Sequence, residues 1–82
     1  MTNLKISGKD LIKLAVKDGW AIKHRATHGL SLVKKYPDKT RVTVIPDKKA
    51  LLPDGTLAAI LGPKQMGIGR KGLEALVKKY GR

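Results

Sequence analysis

Cysteine and phenylalanine are missing from these 82 residues, and the aromatic side chains amount to one Trp and two Tyr. Without cysteine there can be neither a disulfide framework nor a thiolate metal site, and a reducing compartment is the expected setting. So few rings argue against the open-sheet modules that read single strands by displaying several stacked aromatics. Acidic residues are scarce as well: six Asp plus Glu, far apart and mostly in turn or cap positions. They offer no pair for two-carboxylate hydrolysis, and together with two histidines they form no cluster at metal-ligand spacing. No apolar run approaches membrane-spanning length, and no basic-then-apolar leader pattern follows Met1. The expectation is a soluble cytoplasmic protein without metal, small-molecule cofactor or membrane contact.

Positive charge is what the chain has instead. Eighteen Lys plus Arg against the six acids give a net charge of +12. A small domain needs only about 2–8 charges of excess for solubility, so a polyanionic partner is indicated, nucleic acid ahead of an acidic protein or an anionic membrane. The length suits one domain with a single core. No acidic residue occurs between Gly19 and Pro37, the stretch that also holds both histidines, His24 and His28.

Local signals divide the chain into six elements. Ser7 followed by Asp10 reads as a capping box with Asp in place of Glu, and Ile6 and Leu11 stand where a hydrophobic staple would close over it. Gly19 supplies a left-handed stop, which predicts a helix over 7–18. Leu11, Ile12, Leu14, Ala15 and Val16 form its apolar arc, and Lys9, Lys13 and Lys17 lie opposite within roughly 80°. Three strands follow: Trp20–His24 with one side buried, Leu30–Tyr36, and "RVTVI" ending at Pro46. Short turns at Ala26–Gly29 and Pro37-Asp38 make them an antiparallel meander. A basic loop spans Asp47–Pro53. "DGTLAAIL" then opens a helix with Asp54 or Thr56 as cap and Leu57, Ile60 and Leu61 inward, ended by Gly62-Pro63. Leu73, Leu76, Val77 and Tyr80 mark an amphipathic helix over Arg70–Tyr80. The order αβββαα describes an α+β domain, three antiparallel strands with helices on one face. "GIGRKG", Gly67–Gly72, matches a dinucleotide fingerprint by letters, but it follows a helix rather than a strand, so that fold is set aside.

Elimination leaves histidine as the reactive group. RNA carries its own nucleophile, the 2′-hydroxyl beside each phosphate, so a protein that cleaves it needs a proton acceptor, a proton donor and cations for the charged phosphorane. Histidine, with an ordinary pKa of about 6.5, suits the first two roles. Lys23, Arg25, Lys34, Lys35 and Arg41 are available for the third, and the Lys9, Lys13, Lys17 stripe for phosphates along the strand. Chemistry alone does not rank His24 against His28.

"SGKDLIKLAVKDGW", a histidine at the β1–β2 turn, and a strand running into "RVTVIPDKKALLPDGTLAAIL" resemble the HicA toxins of bacterial toxin–antitoxin systems. The resemblance runs from Ser7 to about Leu61; Ser7-Gly8-Lys9, Asp18-Gly19-Trp20 and "LPDGTLAAIL" carry most of it. It implies a double-stranded-RNA-binding-domain-like fold, metal-independent cleavage of mRNA, and a HicB-type antitoxin that covers the site. The family's essential histidine, commonly within Gly-Ser-His, falls on His28, with Thr27 in place of the serine and Ala26 in place of the glycine. His24 receives no role beyond its strand. Two other readings are a non-catalytic RNA-binding module of the same fold and, more weakly, a DNA-binding protein, for which no recognition helix is evident.

Overall fold

In the computed structural model, which describes residues 5–81, the chain runs α1 (Gly8–Lys17), β1 (Ala21–Ala26), β2 (Gly29–Lys35), β3 (Thr40–Ile45), α2 (Asp54–Leu61) and α3 (Gly69–Tyr80). Residues 1–4, part of the stretch read for a leader, lie outside the described residues. The strands form one antiparallel sheet in the order β1-β2-β3. This is the expected α+β, double-stranded-RNA-binding-domain-like arrangement. Among the described residues no helix is long and apolar enough to cross a membrane.

α1 begins as its sequence requires. The Ser7 hydroxyl accepts a hydrogen bond from the Asp10 amide at 3.1 Å, a cap that contributes about 1 kcal/mol. Ile6 and Leu11 are both buried over it. Gly19, at φ 103°, turns the chain out of the helix, and Trp20 closes that end of the core at 2% exposure. Side chains across a sheet alternate faces; Leu32 and Ile45 point to the helices, where they meet Leu11, Leu14, Leu57, Ile60, Met66 and Leu73. Tyr80 packs against this cluster half-buried.

Three expectations give way. β1 is not half-buried: positions 21–25 are exposed, Ile22 at 51%. It is an edge strand beyond the rim of the helix layer, and an irregularity between Ile22 and His24 breaks its alternation. Val16 is 44% exposed, because it sits about 100° round the helix from Ala15, at the margin of the arc. Neither Asp54 nor Thr56 caps α2. Pro53 holds the cap position without a side-chain bond, and Asp54 lies in the first turn, where its charge suits the helix dipole.

Candidate active site at the β1–β2 hairpin tip

Ala26 and Gly29 pair as the last rung of the β1–β2 ladder, which leaves Thr27 and His28 as a two-residue turn. Such turns normally place central residues at positive φ to match strand twist. Neither Thr27 nor His28 has positive φ, and Gly29 takes it instead, at 152°. Gly29 is required for a second reason: a β-carbon there would strike the Ile45 carbonyl and crowd Pro46. The hairpin tip is therefore pressed onto the exit of β3. Gly8 makes the same kind of approach, since a β-carbon on it would run into the Pro46 carbonyl. The Lys9 amide donates to the Lys48 carbonyl at 3.0 Å. Two glycines thus bring the α1 start, the hairpin tip and the Pro46–Lys48 segment to one place.

Asp47 organises the charge there. Its carboxylate accepts from Lys9 Nζ at 3.0 Å and from Arg25 at 3.3 Å. The Lys9 hydrogen bond, helped by the charges of Lys9 and Arg25, holds the Asp47 carboxyl below the usual carboxylate range. Lys9 and Arg25 stay 43% and 71% exposed, so each has donors left for an anion.

His28 is exposed and stands on the wall between two clefts. One, of about 440 Å³, is lined by Arg25–Gly29 and Pro46–Lys48 and is cationic. The other, of about 780 Å³, follows the open edge of β3 towards α2 and is mostly apolar; Val42, Val44, Pro46, Gly55, Ala59 and Gln65 line it with Ala26–His28. A volume of that size takes a small ligand or a single nucleotide.

The other cations named from the sequence are placed apart. Lys13 and Lys17 continue along the exposed side of α1, away from the tip, and Lys23 lies at the β1 irregularity. Lys34, Lys35 and Arg41 occupy the opposite end of the sheet, where Lys34 pairs with Arg41 and Lys35 with Thr40. Lys34 is engaged by the Asp18 carbonyl at 2.7 Å and carboxylate at 3.1 Å, with its ammonium over Tyr36. Arg41 donates to the carbonyls of Pro63 and Gln65 at 2.8 and 3.2 Å and lies against Gly67. The first two glycines of "GIGRKG" serve the turn into α3: Gly67 and Gly69 have φ 69° and 66°. His24 faces outward opposite Ser31. Lys48 at the cationic cleft and Gln65 in the apolar one were not singled out from sequence. The first was visible only as part of a basic loop and the second carried no signal. Among the described residues no group of three or more His, Cys, Asp or Glu could hold a metal ion.

Residues 8–68 match the model of a family described as the HicA toxin of bacterial toxin–antitoxin systems. The chain belongs to the HicA toxin family. The matched span covers α1, the sheet, α2 and the following turn, and so contains His28, Asp47 and Gln65. Membership makes the protein the toxin component of such a system and implies an antitoxin as partner. No curated protein and no solved structure matches the chain. Ala26 keeps a negative φ within β1, so the backbone makes no demand for glycine there.

Proposed function

We propose that this HicA-family toxin is a metal-independent endoribonuclease acting on mRNA in the cytoplasm, with His28 as its acid/base group. The observation that carries the reading is the position of His28: an exposed imidazole on the wall of a cleft that also holds Arg25 and Lys48. A backbone phosphate seated against those cations brings its 2′-hydroxyl to the ring. His28 accepts the 2′-hydroxyl proton as the 2′-oxygen bonds to phosphorus. Arg25, Lys9 and Lys48 neutralise the phosphorane charge. The P–O5′ bond then breaks, and the proton held by His28 passes to the leaving 5′-oxygen. The products are a 2′,3′-cyclic phosphate and a free 5′-hydroxyl, with no net consumption of water. Lys13, Lys17 and Lys23 hold flanking phosphates. A HicB-type antitoxin silences the enzyme by covering His28.

His28→Ala tests this directly. A folded variant should lose RNA cleavage by about a hundredfold or more and lose growth arrest, while wild-type cleavage persists in EDTA. Undiminished cleavage by the folded variant overturns the assignment.

A further inference from the structure

Gln65 is half-buried in the turn after α2, and its amide has only one possible orientation. The backbone amide of Val44 can only donate, and it points at Gln65 Oε1 at 3.3 Å. The Thr43 hydroxyl donates to the same oxygen at 2.6 Å. Both bonds fall on Oε1, which leaves the Nε2 group as the free end, a pair of N–H donors with no partner among the described residues. The structural purpose of Gln65 is to seal an edge amide of β3, but that purpose uses the oxygen alone. Gln65 lines the same groove as His28. The rest of the groove is mostly apolar, with Val42, Val44, Pro46 and Ala59, and carries the side chains of Thr27, Thr43 and Thr56.

We infer that the groove beside His28 receives the nucleobase next to the scissile phosphate, and that Gln65 Nε2 selects a base carrying a carbonyl oxygen, not an amino group, at pyrimidine C4 or purine C6. This rests on the ribonuclease reading for the identity of the occupant. The cationic cleft on one side of His28 suits a phosphate, and the apolar groove on the other, which shares Ala26–His28 and Pro46 with it, suits a flat ring. A donor-only amide favours uracil O4 or guanine O6, which accept. It opposes the amino groups of cytosine or adenine, which would set donor against donor. Thr43 is a positioning residue that fixes the amide from behind.

The test is binding of 2′-O-methyl oligo(U) and oligo(C), which lack the nucleophile and cannot be cut. Wild type should prefer oligo(U) by about tenfold, the value of one well-made base contact. Gln65→Glu keeps an oxygen for Thr43 and Val44 but removes the donors, so the ratio should fall close to one. Both affinities also drop together from the added charge, which is why the ratio is the readout. Gly55→Leu is a second route: a β-carbon there meets nothing within 4 Å, the residue lines the groove, and the added side chain should erase the preference too. A wild-type ratio near one, or a preference that survives Gln65→Glu or Gly55→Leu, overturns the inference, and the groove then belongs to a protein partner. Because the assay needs no cleavage, a protein that shows the Gln65-dependent preference yet cuts no RNA rejects the ribonuclease reading alone. One that cuts RNA without the preference rejects the base site alone.

Discussion

At the hairpin end of the sheet, Arg25 and Lys9 share one carboxylate and keep 71% and 43% of their side-chain surface in solvent. At the opposite end, the Lys34 side chain is 22% exposed, held by Asp18 through two oxygens and stacked on Tyr36. Beside it Arg41 commits its Nη1 group to two backbone carbonyls. The same residue types therefore do different work. Where a cation is tied to its own chain by two hydrogen bonds, it fixes the fold; where one exposed ion pair holds it, it is available to an anion. Net charge draws a polyanion to the whole molecule, but among the described residues it is the hairpin end of the sheet that combines largely exposed cations with His28.

Substitutions that interchange the two ends put this contrast at risk. The largest effect is expected at Gly29, because its conformation and its contact with Ile45 both exclude a β-carbon. Gly29→Ala should cost on the order of 3 kcal/mol in denaturant unfolding, the sum of backbone strain and forced overpacking. A loss under about 1 kcal/mol would show the tip to be far more pliable than its contacts indicate.

Arg41→Met comes next. It should lower stability by about 1–2 kcal/mol through two lost charged hydrogen bonds and change the salt dependence of RNA binding little. Arg25→Met should do the reverse. Stability moves by about 0.5 kcal/mol or less, as for an exposed ion pair, while the slope of log affinity against log salt falls by about one. Equal effects of the two variants on RNA binding would erase the difference between the ends.

How far the sequence reached follows from the range of each signal. The α1 cap, the Gly19 stop, the strand order and the inward faces of α2 and α3 rest on neighbours within one or two turns, and these were legible. His28 was legible as a histidine at a hairpin turn, and the family resemblance set it apart from His24. What sequence could not show depends on partners far along the chain. Lys34 meets Asp18 across 16 residues and Arg41 meets Pro63 across 22. No local pattern separates a cation with such a partner from a free one. Lys48 and Gln65 sit in aperiodic segments, so periodicity could not assign them a face. β1 misled for a related reason: alternation signals a buried side only if a helix lies over it, and the helix layer stops short of that edge.

The smallest effect expected concerns Asp47, and its sign can be worked out. Its pKa in the folded protein lies below the ordinary 3.8, first through the Lys9 hydrogen bond. A depressed folded value means that the unfolded chain takes up a proton more readily. The stabilisation from Asp47 is therefore complete above the unfolded value of about 3.9 and disappears as pH falls through the folded one. The stability difference between wild type and Asp47→Asn should be constant from neutrality down to about pH 5 and shrink steadily below about pH 4. At neutral pH the same variant frees Lys9 and Arg25 from their shared anchor. Cleavage should then weaken even if RNA affinity rises, because attraction to a phosphate needs only the charge, whereas stabilising a phosphorane needs the charge held in place. A variant that binds more tightly and also cuts faster would mean that Asp47 merely competes with the substrate for the two cations.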